Sequence, residues 1–205
     1  MYLVKTPDII KPFAKDFLWQ VKTTAKEIYL TFDDGPVPGV TDVVLDLLKE
    51  YNAKATFFCL GKNVESHPEL YERILHDGHT VGNHTYDHPD GWKTGNFSYF
   101  RNILKASRSI DTTLFRPPYG RITPNQVSAL KKRFTPVMWS VLSADYDNSI
   151  DGAQCLQNVL NNVDNGSIVV FHDSLKAKKN MLFALEGSLR YFNEDGYTLR
   201  AITAP

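Results

Sequence analysis

The sequence predicts an α/β domain built on a parallel sheet. Short apolar runs rich in β-branched and aromatic residues alternate with helical patterns along most of the chain. No linker or low-complexity stretch divides its 205 residues. No glycine-rich phosphate loop follows the first strand, because "DDGPVPG" places acids where a phosphate site needs amides and bases. A single-domain barrel of (β/α) units and an open doubly wound sheet both fit this pattern.

The strand-like runs fall at 28–32, 54–58, 79–82, 113–116, 136–142, 167–171 and 197–202. Near-continuous apolar composition is what strands buried on both faces require. Between them, 41–51 carries an apolar stripe of Val43, Val44, Leu47, Leu48 and Tyr51. Ser66 and Glu69 form the pattern of a capping box before the next helix, and Gly78 suits its end. Helical spacing follows over 97–110. Thr123, Pro124 and Gln126 open another helix with a capping box and a proline at its first position. The stripes over 151–163 and 180–193 complete the alternation, and Gly196 stops the last helix. Residues 1–26 are expected to form an arm packed on a domain spanning 27–205.

Composition excludes several function classes. The 23 basic and 23 acidic residues cancel, which argues against a nucleic-acid partner or an anionic membrane surface. Cys59 and Cys155 lie in apolar segments without metal or redox spacing, and read as small core residues. Lys5, Asp8, Lys11, Lys15 and Asp16 interrupt the first residues, so no signal-peptide core or membrane span is expected, and the chain as given reads as cytoplasmic. Nothing in the composition specifies an oligomeric state.

Unusual polar residues cluster after the strands. Asp33 and Asp34 follow the first, His84 and His88 the third, and Arg116 and Tyr119 the fourth. Asp145 and Asp147 follow the fifth, and His172 and Asp173 the sixth. In a parallel α/β architecture the C-terminal strand ends share one rim, where ligands bind. Two adjacent carboxylates at a strand end each raise the cost of ionising the other, which a cation would relieve. A histidine pair at four-residue spacing is by itself a common surface feature. With a carboxylate from another loop it becomes a ligand set for zinc or another divalent ion. The second acid then stays free to take a proton. Arg116 ends an apolar strand, where an unpaired guanidinium is costly, so it is expected to pair with a rim acid. His172, taken alone, reads as a satisfied buried histidine. Trp92, Phe97, Tyr99 and Phe100 read as core packing rather than a sugar groove.

"TFDDGP", "HTYDHP", "RPPYG", "SADYD" and "VVFHD", in this order, resemble the five motifs of the polysaccharide deacetylases with a NodB homology domain, carbohydrate esterase family 4. The resemblance covers about residues 27–202. It implies a distorted (β/α) barrel of about seven parallel strands and one divalent metal ion, zinc first, with cobalt or nickel as alternatives. It implies metal ligation by Asp34, His84 and His88, with Asp33 as general base and Arg116 positioning it. Tyr119 would supply a backbone N–H to the oxyanion. His172 would be the general acid and Asp145 its orienting carboxylate, while Tyr146 and Val170 would enclose the acetyl methyl. The fourth motif departs from the family pattern: Tyr146 stands where Trp is frequent, and Leu142 where many members have Asp.

The implied activity is removal of N-acetyl groups from N-acetylglucosamine-containing polysaccharide or oligosaccharide, with no membrane insertion, although the family often acts on the cell envelope. The alternatives are an O-acetyl esterase of xylan type, a deacylase of small or lipid-linked amides, and a catalytically silent glycan-binding barrel.

Overall fold

The computed structural model describes residues 3–7, 9 and 15–203. Strand β1 (Glu27–Asp33) lies at the centre of the sheet. It is followed by α1 (Thr41–Glu50), β2 (Thr56–Cys59), α2 (Gly61–Ser66), α3 (Pro68–His76) and β3 (Thr80–Asn83). Next come α4 (Asn96–Ala106), β4 (Leu114–Phe115), α5 (Pro124–Leu130), β5 (Thr135–Pro136) and β6 (Val141–Leu142). The chain then forms α6 (Gly152–Leu160), β7 (Ile168–His172), α7 (Lys178–Glu194) and β8 (Thr198–Leu199). Seven strands pair in the order β5-β4-β3-β2-β1-β7-β6, and β8 pairs with the start of β1. Every strand pairing is parallel, and the seven strands make the curled, distorted barrel that the sequence led us to expect.

Period-two alternation decides what each strand residue touches. Along β1, Ile28, Leu30 and Phe32 pack with helix residues such as Val44, Leu48, Met181, Leu185 and Phe192. Tyr29 turns the other way and joins Phe58, Leu114, Val137 and Ile168. Thr31 shares this inner face, as its bond with Arg116 from β4's far end shows. Asp33 continues the series to the top. Strand β7 behaves alike: Val169 and Phe171 pack under the helices, while Val170 joins a separate inner cluster with Leu142 and Ala144. Asp33 and His172 are register partners, so the inner series on the two central strands ends with an acid beside a histidine.

Local signals behave mostly as predicted. Thr123 and Gln126 form the expected reciprocal box before α5, with Pro124 at its start. The Asp151 side chain accepts the Gln154 N–H at the start of α6. Cys59 and Cys155 are buried and unpaired. Three expectations change. Residues 61–66 form an unforeseen helix, α2, so Ser66 is helical and its hydroxyl bonds back to the Lys62 carbonyl. A helical residue has no access to the extended conformation of an N-cap, and α3 starts instead at Pro68 without a side-chain cap. The run 136–142 splits into β5 and β6, because the Val137 and Met138 carbonyls bond the Arg116 side chain. Of the aromatic group, Tyr99 is core, whereas Trp92 and Phe97 are 65% and 79% exposed.

Lys5 and residues 18–21 bond to the interrupted segment and to the residues that lead into β7. Leu18 bridges Val137, Lys5 bridges Val141 and Gln20 bridges Ser167. Val21 donates its N–H to the Gly166 carbonyl at 2.9 Å. Gly166 has φ +79°, and a Cβ there would lie 1.9 Å from the Val21 carbonyl oxygen. Both strain and contact demand glycine at this position. Gly166→Ala is expected to destabilise the protein by about 1–3 kcal/mol, read as a lower urea midpoint at unchanged slope.

Candidate active site

The C-terminal strand ends bring the predicted polar residues together. Strict alternation would point Asp33 and Asp34 to opposite faces. Asp34 has φ 82°, a left-handed value that turns the chain and aims both carboxylates into the mouth of the barrel. Asp34 Oδ1 stands 3.3 Å from His88 Nε2 and 3.8 Å from His84 Nε2. One ligand atom from each of these three residues lies within 4.8 Å of the other two.

The tautomer of His84 follows from its partner. Its Nδ1 is 2.8 Å from the Arg116 carbonyl, which only accepts, so Nδ1 carries a proton and Nε2 is the nitrogen turned toward Asp34. Burial and the neighbouring His84 push His88 down to about 4, which leaves it neutral at pH 7. Asp34 Oδ1 is buried and has no hydrogen-bond partner. A buried, unpartnered carboxylate oxygen facing two imidazole nitrogens fits a divalent cation and is costly without one.

Asp33 is held differently. Its Oδ1 accepts from Arg116 Nη1 at 2.7 Å, and Oδ2 is left on the side of His84, 4.0 Å from Nε2. Burial works to raise the Asp33 carboxyl, but the charge of Arg116, then those of His84 and His172, hold it below the usual value. Arg116 is itself fully buried. Three further donors go to Thr31 Oγ1, the Val137 carbonyl and the Met138 carbonyl, and its plane lies over the Phe58 ring at 4.0 Å. The guanidinium therefore has the carboxylate partner its position demands.

Across the mouth, His172 Nδ1 meets Asp145 Oδ1 at 2.7 Å, and the His172 backbone N–H donates to Asp145 Oδ2 at 2.7 Å. Burial alone would depress the imidazole. Asp145, by charge and hydrogen bond, with smaller contributions from Asp34 and Asp33, raises it to about 9. The Tyr146 ring stands edge-on to His172, 5.0 Å between centroids, and packs with Leu142, Ala144 and Val170. Tyr119, at φ 58° in a single 3-10 turn, sets its ring 4.5 Å from that of His88.

Six non-glycine residues have positive φ among the described residues, and five of them, Asp34, Thr85, His88, Tyr119 and Ala144, lie in these loops. Such conformations persist only where the surroundings over-determine them. Asn83 of β3 accepts the Thr85 N–H at 2.8 Å, the Thr85 hydroxyl accepts the His88 N–H at 3.1 Å, and asparagines on the flanking helices add further bonds. Asn63 of α2 donates to the Asp34 carbonyl at 2.7 Å, Asn102 of α4 accepts the Tyr86 N–H at 2.7 Å, and Asn158 of α6 donates to the Ser143 carbonyl at 3.0 Å. Sequence reasoning missed Thr31, Asn63 and the task of Asp173. Only Asp173 carried a signal, its place beside His172.

The polysaccharide deacetylase family model matches residues 20–134. A peptidoglycan-N-acetylglucosamine deacetylase of Bacillus cereus is 39% identical over 155 residues, which are 72% of this chain and 56% of that protein. The peptidoglycan-N-acetylglucosamine deacetylase PgdA of Listeria monocytogenes is 36% identical over 200 residues, 95% of this chain and 40% of that protein. The chain thus spans about half the length of these relatives. The crystal structure of the Bc1960 peptidoglycan N-acetylglucosamine deacetylase, in complex with a naphthalenyl N-oxidanyl-benzamide, superposes with a TM-score of 0.87 at 32% identity, covering 96% of this chain and 95% of that one. With an acid pair, a histidine pair and an Arg–Asp contact assembled on this barrel, and a family match over more than half its length, the chain belongs to the polysaccharide deacetylase family.

Proposed function

We propose that this chain is a metal-dependent hydrolase that removes N-acetyl groups from N-acetylglucosamine-containing polysaccharide. The observation that carries the reading is the division of labour between neighbouring acids: Asp34 Oδ1 faces two imidazoles, while Asp33 is tied to Arg116 through one oxygen only. Asp34, His84 and His88 would hold the cation, zinc by its nitrogen and carboxylate donors. A divalent ion bound there supplies Lewis acidity and lowers the pKa of water toward ~7.

The rest is chemistry of the chain's own side chains. Asp33 is anionic, and Oδ2 is the oxygen left to accept the proton of the attacking water. Arg116 fixes the carboxylate's plane and keeps it from titrating near neutral pH. The backbone N–H of Tyr119 would donate to the developing oxyanion, a contribution of roughly 3–4 kcal/mol for donors of this kind. His172 carries its proton at neutral pH and, with Nδ1 engaged by Asp145, delivers it from Nε2 to the departing amine. Leu142, Val170 and Tyr146 provide an apolar surface beside that histidine for the acetyl methyl. A pure glycan binder would need neither a protonated His172 nor a clamped Asp33. Among the described residues, no helix is long and apolar enough to cross a membrane. Action on the cell envelope, like the choice of peptidoglycan over chitin-like chains, is part of the proposal and follows the naming of the relatives.

The purified chain with zinc or cobalt is expected to release acetate from N-acetylglucosamine oligomers in preference to acetylated xylan. Asp33→Asn should lower kcat by about 10²–10⁴-fold while metal uptake persists. Full activity in that variant would refute the base assignment, and preference for xylan would favour the esterase reading.

The raised pKa of His172 also has a stability signature. The stabilisation it brings is complete below the unfolded value of about 6.5 and is lost as pH rises to about 9, at up to roughly 1.4 kcal/mol per pH unit. Denaturation of the metal-free protein should show a smaller fall over this window for Asp145→Asn than for the parent. Equal slopes would show that Asp145 is not what holds the proton.

A further inference from the structure

Asp173 follows His172 but points away from the barrel mouth, into fully buried space behind the turn after β1. Its Oδ1 accepts the Gly35 N–H at 3.0 Å. Its Oδ2 accepts the Thr41 hydroxyl at 2.6 Å, and that hydroxyl in turn accepts the Val37 N–H at 2.8 Å. The Asp173 N–H donates to the Asp33 carbonyl at 3.0 Å. One residue thus ties the end of β7, both sides of the Asp34 peptide and the first residue of α1. The fit leaves no slack: a Cβ on Gly35 would lie 2.0 Å from Asp173 Oδ2.

The residue held in this grip is the strained one. Asp34 sits at φ 82°, and its Oδ1 has no hydrogen bond of its own to orient it. Its direction is therefore set by the backbone on either side. Asn63 fixes the Asp34 carbonyl, and Asp173 fixes the next N–H. A ligand oxygen needs placement within about 0.2 Å, far finer than folding alone requires.

We propose that Asp173 is a positioning residue for the metal centre. By holding the Gly35 N–H and the Thr41 hydroxyl it sets the backbone turn that presents Asp34 Oδ1 to His84 and His88. It touches neither cation nor substrate, and the proposal rests on the metal-site reading above. This role differs from that of an ordinary buried anchor, whose loss would lower global stability and leave ligand geometry intact.

The test is zinc titration calorimetry on the full chain at fixed pH, alongside amide hydrogen exchange at Gly35 in the metal-free protein. Asp173→Ala is expected to weaken zinc binding by about 10–100-fold, as for other residues that orient metal ligands, and to speed exchange at Gly35. Asp173→Asn keeps an acceptor for the Gly35 N–H and should restore most of the affinity. Thr41→Val, milder in shape, should weaken zinc severalfold and carries the test should the alanine variant not fold. Parental zinc affinity in Asp173→Ala or Thr41→Val overturns the proposal, even if the melting temperature falls. An asparagine variant as weak as the alanine one also overturns it. If the parent takes up no zinc, the metal reading fails, and Gly35 exchange still decides whether the clamp exists: unchanged exchange in the variants refutes it.

Discussion

The buried pair between Arg116 and Asp33 is the constraint around which the rest is arranged. A guanidinium with no exposed surface is affordable only if its donors and its face find partners. Here it takes a carboxylate from β1, a hydroxyl from the same strand, and two carbonyls from the segment between β5 and β6, while Phe58 covers its plane. The pair therefore bridges the centre of the sheet to its edge across the inside of the barrel. Removing one member of such a pair typically costs 3–5 kcal/mol, because the other charge is left buried and alone. The same contact occupies one Asp33 oxygen and leaves the other on the side of His84, so a structural necessity also sets which oxygen faces the mouth of the barrel.

The second charged pair, His172 with Asp145, works in the opposite direction. Arg116 keeps a carboxylate ionised despite burial, whereas Asp145 keeps an imidazole protonated despite burial. The two pairs stand on neighbouring strands, since Asp33 and His172 are register partners. An ionised carboxylate and a protonated imidazole thus lie side by side, with environments that push their proton affinities apart. Parallel pairing makes this possible: both strands run the same way, so their C-terminal residues reach the mouth together.

Backbone strain marks the same place. Thr85 is β-branched and His88 bulky, and both have positive φ, which neither adopts without support. Asn83 of β3 and Thr85 itself bond their amides, and further support comes from outside the barrel, where helix asparagines bond loop carbonyls and amides. Helices that look like mere covering for the sheet are in this respect scaffolding for the loops.

Much of this was legible in the residues. Alternating apolar runs and helical stripes determine a parallel α/β fold, and any parallel sheet gathers its C-terminal ends, so Asp33, Asp34, His84, His88, Arg116, Asp145 and His172 had to converge on one face. Tertiary structure alone decided what that convergence means. Whether Asp34 faces the histidines depends on one left-handed residue, stabilised by Asn63 and Asp173 from remote elements. The break in 136–142 is invisible in an apolar run, because it arises from carbonyls turned toward Arg116. Helix α2 escaped notice because six residues are too few to show a period. Periodicity is a local property and can be read along the chain, whereas the direction of a carboxylate is set by hydrogen bonds between residues more than a hundred positions apart, such as Gly35 and Asp173.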